Sequence, residues 1–369
     1  MKILFPIRVF YPAQTGGPAN TVYWLAKELA KSNEVYVVTT SKDINKELIS
    51  ENRWIDLNGI NVVYVTNHKI PVLIYLHSFK KIVKTDVIHL NSLFDLSSLP
   101  IALFGLLFRK KIIWSVRGEL EEYALGYGHF RLKKIFLSII NNISKKIIFH
   151  ATSDSEVSNI LNRFGEKTNV FKLPNYMILP EKIQKVLVKK QLLFVGRVHP
   201  IKSIDKLLTA LAVSEVFLKS DFIFKIAGIG DIGYMNQITS LIIDLKLSHK
   251  VVFLKRRIEG KEKEVLYAES YFSFLVSESE NFGAVVTEAM AQGTPVVTSK
   301  GTPWQILEKE GIGFWIDNNP EQICQIVDKI LLYNNQEYRE IRQKAYDFVL
   351  SNFNIENNVD KWEKEYLKT

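Results

Sequence analysis

The stretch FLVSESENFGAVVTEAMAQGTPVVTS, residues 274–299, decides the fold. Its two ends, 274–276 and 295–297, are short apolar runs of the kind that form buried parallel strands, and the segment between them suits a crossover helix. Gly283 stands where that helix is expected to begin. A helix start presents unpaired backbone N–H groups and the positive end of the helix dipole, which together suit a phosphate or diphosphate. The stretch therefore predicts a strand, a turn, a helix and a second strand, with an anion site at the start of the helix.

Two glutamates flank this predicted helix start. Glu280 lies in the turn before the helix, and Glu288 lies within its first two turns. This spacing lets one carboxylate face the polar ring of a ligand and the other a second, hydroxyl-rich part. The alternative is that both are only helix-start charges that favour the dipole, and the spacing alone favours that alternative. The complete string ENFGAVVTEAMAQGTPVV is far more specific than the spacing, and it favours a binding site.

This string resembles the glutamate-x7-glutamate signature of the retaining glycosyltransferases of the GT-B fold, in particular the large family called group 1 or family 4. The resemblance implies that Glu280 contacts the sugar of a nucleotide donor and that Glu288 binds the nucleotide ribose. It also implies that Asn281, Phe282 and Gly283 supply backbone amides to the donor. The implied fold is α/β, with two Rossmann-like, doubly wound parallel-sheet domains that face each other across a cleft.

Length and composition describe a globular chain with two cores. The 369 residues are 47% hydrophobic and 24% charged. A single cysteine, Cys324, excludes an intrachain disulfide and fits a reducing compartment, and the scattered histidines predict no metal cluster. The N-terminus lacks the pattern of a signal peptide, and the longest apolar run, 99–108, is shorter than the about 20 residues that a membrane-spanning helix needs. We therefore expect a cytoplasmic protein that is soluble or peripheral on the inner face of the plasma membrane.

The charge balance is basic, because 48 Lys and Arg residues oppose 39 Asp and Glu residues, a net charge of +9. Such an excess suits nucleic acid, an anionic membrane surface or an anionic substrate. No nucleic-acid-binding motif accompanies it, so we expect no nucleic acid partner. Segment 131–146, RLKKIFLSIINNISKK, favours an ordinary sheet-covering helix with solvated ends. Contact with anionic lipid is the alternative, and the basic segments 76–84 and 106–111 add weight to it.

The first half alternates apolar strand-like runs with amphipathic helices, which predicts a mostly parallel sheet. The pattern breaks at residues 174–176, and a polar, lysine-rich segment follows, so we expect the linker there. By the resemblance, residues 1–176 form an acceptor domain on which the tail 354–369 packs. Residues 187–353 form the domain that binds the nucleotide sugar.

Two segments of the first half carry candidate site residues. The turn before the first helix contains Gly16 and Gly17, which is structural by pattern alone. In the resembled family, backbone approaches the donor phosphate at this point, which makes both glycines donor-binding candidates. The segment beginning Arg117-Gly118-Glu119 is similar to a subgroup with a proline-arginine-glycine-methionine-leucine string. The resemblance implies that Arg117 meets the donor phosphate or an acceptor oxygen, and that Glu119 or Glu121 orients the acceptor hydroxyl. A solvated charged loop is the alternative.

The second half begins with a strand-like run at 192–195, which is followed by Gly196-Arg197 and then by Lys202-Ser203. Cations in a strand-to-helix loop lie where parallel sheets bind anions. The family's glycine-arginine-x4-lysine-glycine motif matches at Gly196, Arg197 and Lys202, with Ser203 in place of the last glycine. Two surface cations are the alternative. The glycine turn at Gly228 is a weaker signal, and we include Gly228 among the donor-binding candidates.

The resemblance implies transfer of a sugar from a nucleotide diphosphate sugar to a hydroxyl of a glycan or lipid-linked acceptor, with retention of configuration. The setting expected for this family is assembly of an envelope polysaccharide, and no metal or other cofactor is expected. Arg197, Lys202 and the helix N–H groups would stabilise the leaving diphosphate, while Glu280 would orient the sugar. A nucleotide-sugar epimerase of the same plan and a non-catalytic nucleotide or carbohydrate binder are the alternatives. The glutamate string follows the transferase pattern.

Overall fold

The computed structural model of the chain describes residues 1–13, 17–68, 70–126, 130–184 and 186–368. In these ranges the strands are β1 (Lys2–Pro6), β2 (Glu34–Thr40), β3 (Trp54–Leu57), β4 (Ile60–Val65), β5 (Val87–Asn91), β6 (Lys111–Ser115), β7 (Ile148–Ala151), β8 (Asn169–Lys172), β9 (Gln191–Val195), β10 (Ile223–Ala227), β11 (Val251–Phe253), β12 (Phe272–Leu275), β13 (Val296–Ser299) and β14 (Gly313–Ile316). The α-helices are α1 (Gly17–Leu29), α2 (Val72–Ile82), α3 (Ser98–Leu107), α4 (Glu122–Gly126), α5 (Phe130–Ile143), α6 (Asp154–Phe164), α7 (Ile204–Val213), α8 (Glu215–Lys219), α9 (Ile232–Asp244), α10 (Gly260–Ala268), α11 (Ala284–Ala291), α12 (Ile306–Lys309), α13 (Pro320–Leu331), α14 (Asn335–Phe353) and α15 (Val359–Leu367).

The chain forms two compact units. Unit 1 comprises Met1–Ile178 together with Asn354–Thr369, and unit 2 comprises Leu179–Phe353. The sequence interpretation ended the first domain at 176 and began the second at 187, whereas the structure assigns the intervening lysine-rich segment to unit 2. Gln292 explains part of this difference, because its side-chain oxygen accepts a hydrogen bond from the backbone N–H of Ile183 at 2.9 Å.

Unit 1 is built on one mostly parallel sheet. Among the described residues it has eight strands in the order β3-β4-β2-β1-β5-β6-β7-β8, and only β3 and β4 pair antiparallel. The strand order reverses between β1 and β5, which is where doubly wound sheets bind ligands. Successive residues of β1 pack on opposite faces: Ile3 and Phe5 lie in one apolar cluster and Leu4 in another. Both faces of the sheet are therefore covered.

Unit 2 repeats this plan in a sheet whose described strands are all parallel. The order is β11-β10-β9-β12-β13-β14, with the reversal between β9 and β12. Leu192 and Phe194 of β9 face one apolar cluster, and Leu193 and Val195 face the other. The predicted pair of parallel α/β sheets is therefore confirmed.

In the described ranges, no helix is long and apolar enough to cross a membrane.

Side-chain caps fix where several helices begin. The Ser153 hydroxyl accepts a hydrogen bond from a backbone N–H at the start of α6, and the Asp231 carboxylate does so at the start of α9. The Asn319 amide oxygen caps α13, whose first residue is Pro320. These local signals are present in the sequence and position the crossover helices.

The tail helix α15 joins unit 1 through a buried chain of polar side chains. The Tyr366 hydroxyl lies 2.7 Å from His89 Nδ1, and His89 Nε2 lies 2.7 Å from Ser115 Oγ. Ser115 Oγ is also 2.7 Å from His150 Nδ1, and His150 Nε2 is 2.8 Å from the Leu173 carbonyl oxygen. Because a carbonyl only accepts, the proton of His150 is on Nε2 and Ser115 donates to Nδ1. Ser115 then accepts from His89 Nε2–H, so both histidines are neutral Nε2–H tautomers.

Candidate active site

The two charged segments predicted in unit 2 leave the same edge of its sheet. β9 and β12 are parallel neighbours, with Leu192 opposite Phe272, so the loops that follow them lie side by side. The backbone N–H of Glu278 donates to the Ile201 carbonyl at 2.8 Å, which ties the two loops together. The topology thus brings the predicted cation and carboxylate segments to one place.

Lys202 and Glu280 form an ion pair at this edge. Lys202 Nζ donates to Glu280 Oε1, and the two side chains are only 16% and 14% exposed. Ser277 Oγ donates to the same carboxylate oxygen at 3.0 Å, and the backbone N–H of Glu280 donates to the Gly301 carbonyl at 2.9 Å. Because little water reaches the pair, its attraction is screened less than that of a surface pair. The Glu280 carboxylate is held in one position.

Helix α11 begins directly after Gly283, as the sequence predicts. Gly283 has a φ of 75°, and a Cβ there would lie 2.6 Å from a methyl group of Leu275. Only glycine fits this left-handed, closely packed position. The Trp304 indole N–H donates to the Phe282 carbonyl and fixes the chain just before the turn. The first amides of α11 are therefore presented from a rigid start.

Glu288, in the second turn of α11, is also paired with a lysine. Lys263 Nζ donates to Glu288 Oε1 at 2.8 Å, and the Tyr267 hydroxyl donates to Oε2 at 3.3 Å. Lys263 and Tyr267 are four residues apart on α10, which puts them on one face of that helix. Each glutamate of the motif is thus bound to its own lysine. The described contacts include no bond between Glu280 and Glu288.

Glycines let the loops after β9 and β10 approach each other. A Cβ on Gly228 would lie 1.8 Å from the Gly196 carbonyl oxygen, and the Gly196 N–H donates to Ala227 O at 3.1 Å. Arg197 follows Gly196 in the same loop as Lys202 and is exposed. Its guanidinium makes no ion pair or hydrogen bond with any residue that the structure describes.

Ser203 stands where the resembled family has glycine, and its backbone has a conformation that favours glycine. Its φ of 49° and ψ of 41° are left-handed, a region that costs an ordinary residue about 1–2 kcal/mol. The Ser203 hydroxyl donates to Glu278 Oε1 at 2.9 Å and accepts from Asn318 Nδ2 at 3.0 Å. Lys206 also pairs with Glu278, at 2.6 Å. These bonds hold the serine in a glycine-like conformation.

The candidates in unit 1 are only partly described. Gly16 lies outside the described residues, and Gly17 is the first residue of α1. Arg117 follows β6 with a φ of 61°, and its Nε and Nη2 donate to Asn91 Oδ1 at 3.1 and 2.8 Å. Its Nη1 donates to Asn175 Oδ1.

Burial lowers the pKa of Arg117 to about 10, while the nearby Glu156 acts in the opposite direction. The guanidinium is therefore a largely desolvated cation at the end of a parallel strand.

Glu119 supports a neighbouring loop. Its carboxylate accepts from Ser92 Oγ and from the backbone N–H groups of Leu93 and Phe94. Burial raises the pKa of Glu119, although these hydrogen bonds lower it. Glu121 is bonded through its backbone N–H to the Gly118 carbonyl at 3.2 Å. The acceptor-orienting role of Glu119 and Glu121 stays a prediction.

Residues 178–348, nearly all of unit 2, match the model of the family described as glycosyl transferases group 1. Three curated relatives are glycosyltransferases. MJ1607 of Methanocaldococcus jannaschii, an uncharacterized one, is 36% identical over 145 residues, 39% of this chain and 36% of the relative. An uncharacterized glycosyltransferase of Haemophilus influenzae is 30% identical over 195 residues, 51% of this chain and 52% of its own. The O-antigen chain mannosyltransferase RfbU of Salmonella typhimurium is 26% identical over 244 residues, which are 63% of this chain and 64% of RfbU. The chain thus spans about one third to just under two thirds of these relatives.

Solved structures match the whole chain. HepE of Anabaena in complex with UDP and glucose superposes with a TM-score of 0.78 at 19% identity, covering 100% of this chain and 99% of HepE. WaaG, a glycosyltransferase involved in lipopolysaccharide biosynthesis, gives a TM-score of 0.69 at 15% identity and full coverage of both chains. The fold is GT-B. Together with the family match, the comparisons support a group 1 glycosyltransferase.

Within this GT-B chain, sequence reasoning missed four residues that hold the motif glutamates, one of which is Ser277, the hydroxyl donor to Glu280. Lys263 and Tyr267 bind Glu288, and their i, i+4 spacing on a predicted helix was the available signal. Gly301 accepts from the Glu280 N–H, and a Cβ on it would lie 2.3 Å from the Glu278 carbonyl oxygen. No sequence signal connects Gly301 with Glu280, because a fold contact makes the link. In the described ranges, no group of three or more His, Cys, Asp or Glu side chains is arranged to hold a metal ion.

Proposed function

We propose that the protein is a retaining glycosyltransferase that moves a hexose-type unit from a nucleotide diphosphate sugar to a hydroxyl of a glycan or lipid-linked acceptor. The observation that carries the proposal is the Lys202–Glu280 pair beside the start of α11, within the residues that match the group 1 family. A cation, a carboxylate and a helix start at one strand edge suit a ligand that combines a diphosphate with a sugar.

The chemistry follows from what the reaction must stabilise. The bond between the anomeric carbon and the donor's diphosphate oxygen breaks, so negative charge develops on the leaving group. Lys202 and the first amides of α11 are fixed donors for that charge, and Arg197 is a further cation in the loop of Lys202. The acceptor oxygen forms the new bond from the face that the diphosphate leaves, and the acceptor proton goes to the diphosphate. Glu280 orients the sugar and favours positive charge at the anomeric carbon.

We assign Glu288 to the nucleotide part of the donor. Its carboxylate is held by Lys263 and Tyr267, which leaves lone pairs that accept from a ribose diol. Asn281, Phe282, Gly283, Gly196, Gly228, Gly16 and Gly17 are the proposed backbone contacts of the donor. The HepE structures with UDP and with UDP-glucose support a nucleotide sugar as the ligand class.

We place the reaction in envelope polysaccharide assembly, such as O-antigen, capsule or exopolysaccharide. The printed names of two similar proteins support this setting: RfbU is an O-antigen mannosyltransferase, and WaaG acts in lipopolysaccharide biosynthesis. A lipid-linked acceptor would bring the chain to the inner face of the plasma membrane.

Exposed apolar side chains on two helices of unit 1 support a contact with that membrane. Leu107 is 74% exposed at the end of α3 and is followed by the exposed Arg109. Leu132 and Ile135 are more than half exposed on α5, beside Lys134. Exposed apolar groups next to cations suit a peripheral contact with anionic lipid. Salt-sensitive flotation with anionic liposomes is the expected result, and absence of flotation at low salt contradicts the contact.

Incubation with a panel of nucleotide diphosphate sugars, followed by mass spectrometry, tests the enzymatic proposal. A transferase releases the nucleoside diphosphate and yields a product whose anomeric configuration equals that of the donor. An epimerase changes the sugar while it stays attached to the nucleotide, and a binding protein releases nothing. Either of the last two results, with donors that demonstrably bind, overturns the proposal.

A further inference from the structure

A cation without a carboxylate partner lies at the carboxyl edge of the unit 1 sheet. Arg117 has five N–H donors, of which three bind the amide oxygens of Asn91 and Asn175. One N–H remains on each terminal nitrogen. Among the described residues, no carboxylate lies within ion-pair distance of this guanidinium. The nearby Glu156 accepts instead from the backbone N–H groups of Gly118 and Thr152.

Asn91 adds a second unsatisfied group. Its side chain is buried, with 4% of the residue exposed, and its Oδ1 faces Arg117. A guanidinium only donates, so the amide orientation is fixed and Nδ2 points away from Arg117. Nδ2 is buried and has no hydrogen-bond partner in the described part of the chain. A buried donor without a partner is costly, so native proteins rarely keep one without reason.

The position of these groups points to a ligand. Asn91 ends β5, Arg117 follows β6, and Asn175 comes three residues after β8, so all three gather at the edge where parallel sheets bind ligands. In unit 2, the partly buried cations Lys202 and Lys263 have carboxylate partners, whereas the buried Lys250 donates to a backbone carbonyl. The guanidinium bonds directly only to neutral amides, and the nearby Glu156 acts on it without forming an ion pair, so the direct ionic partner that a buried charge normally has is missing. An anion that takes the two remaining N–H groups supplies it.

We propose that Arg117, positioned by Asn91 and Asn175, binds an anionic group of the acceptor, either a carboxylate or a phosphate ester. The assignment of this anion to the acceptor rests on the function proposed above, whereas the anion site itself is inferred from unit 1 alone. The planar fork of a guanidinium matches both anions, since each offers two oxygens to parallel N–H donors. A neutral sugar hydroxyl would leave the buried charge without a direct ionic partner, so the acceptor is inferred to be acidic.

The test is a substitution that places a carboxylate of the protein itself beside Arg117. Asn91→Asp is nearly isosteric and places a carboxylate against Arg117, so it removes the demand for an external anion. Asn169→Asp is the matched control: it changes the net charge of unit 1 equally, but at an exposed position that begins β8, on the opposite edge of the sheet. Arg117→Gln, which removes the cation, carries the test if Asn91→Asp fails to fold.

Calorimetric titration of the full chain with inorganic phosphate and, separately, with malonate measures the effect. We expect Asn91→Asp or Arg117→Gln to weaken at least one of the two titrations tenfold or more, and the affected probe identifies the anion class. Asn169→Asp is expected to bind within about twofold of the unchanged chain, as exposed charges act weakly. Equal affinities in all variants overturn the proposal.

Titration of the same variants with a nucleoside diphosphate separates this inference from the proposed function. Equal nucleoside diphosphate affinity in Asn91→Asp and Asn169→Asp supports a site for the acceptor. A parallel loss in Asn91→Asp overturns the acceptor assignment, because the anion then belongs to the donor. Failure of every variant and of the unchanged chain to bind a nucleoside diphosphate contradicts the transferase, whatever phosphate and malonate show.

Discussion

The two units use charge differently at the carboxyl edges of their sheets. In unit 2 the motif carboxylates are each paired with a lysine: Glu280 with Lys202 and Glu288 with Lys263. In unit 1 the charges at the corresponding edge are held by neutral groups, since Arg117 is bound by amide oxygens and Glu119 by a hydroxyl and two backbone N–H groups. The motif carboxylates of unit 2 are thus neutralised by lysines, whereas Arg117 and Glu119 of unit 1 are bonded only to uncharged groups.

This difference bears on how each unit meets a ligand. In unit 2 a ligand phosphate must compete with Glu280 for Lys202, so binding exchanges one ionic contact for another, and the exchange fixes position rather than adding much energy. In unit 1 an anion competes with no internal carboxylate for Arg117. We infer that unit 2 is organised before binding, whereas unit 1 is completed by binding.

The largest expected effect comes from breaking the unit 2 pair. Lys202→Ala or Glu280→Ala should reduce transfer at least about a hundredfold, since loss of one preorganised charge contact costs about 2.7–4 kcal/mol in the transition state. Steady-state release of the nucleoside diphosphate measures it. Lys206→Ala is the matched control. Lys206 forms an ion pair with Glu278, which lies in the same loop as Glu280, but Lys206 has no proposed role in transfer. Turnover within threefold of normal in a folded Lys202→Ala chain removes Lys202 from the site.

The contacts of unit 2 could be predicted from the sequence to a greater extent than those of unit 1. In unit 2 the motif residues lie in two continuous segments, and strands of one sheet are expected to bring strand-end loops together, so the meeting of Lys202 and Glu280 was predictable. The pairing of Glu288 with Lys263 depends on how α10 packs against α11. Strand and helix periodicity do not specify that packing.

In unit 1 the decisive contacts are distant in the sequence. Asn91 is 26 residues and Asn175 is 58 residues from Arg117. Periodicity predicted the strands that carry these residues, because apolar runs report burial directly. Polar partners across strands depend on register and on strand order, which the pattern leaves open. The fold class was therefore predictable, whereas the environment of Arg117 was not.

A second prediction sharpens the comparison through pH. Burial lowers the pKa of His150 to about 3, and burial together with His150 and Arg117 lowers the pKa of His89 well below its usual range. An unfolded chain has histidine pKa values near 6.5, so between pH 6.5 and about 3 it binds protons that folded unit 1 does not. Stability present above pH 6.5 is therefore lost as the pH falls, by about 1.4 kcal/mol per pH unit for each histidine.

Hydrogen exchange read by mass spectrometry measures this loss strand by strand. The protection of β5, β6 and β7, corrected for the intrinsic effect of pH on exchange, should fall between pH 7 and pH 5. The internal control is unit 2, whose central strands β9, β10 and β12 contain no histidine. The same decline in both sets of strands rules out the histidine chain as its cause.

The smallest expected effect concerns Lys255, which, like Ser203, stands at a position where the resembled family often has glycine. Lys255 has a φ of 50° and Ser203 a φ of 49°, so both positions keep the left-handed backbone that glycine adopts at no steric cost. The Ser203 hydroxyl has two hydrogen-bond partners, whereas the contact described for the Lys255 ammonium is with the Phe253 ring, whose centre is 5.4 Å away.

Lys255→Gly should therefore stabilise the chain. Relief of about 1–2 kcal/mol of backbone strain exceeds the about 0.4–1 kcal/mol by which glycine favours the unfolded chain. The matched change Lys261→Gly, at an exposed position in the first turn of α10, should instead destabilise by about 0.5–1 kcal/mol, because that backbone is helical. Calorimetric melting should thus show shifts of opposite sign for two lysines six residues apart. Shifts of the same sign would mean that the loop after β11 is not strained, and that the family glycine is absent here because this loop has no need of it.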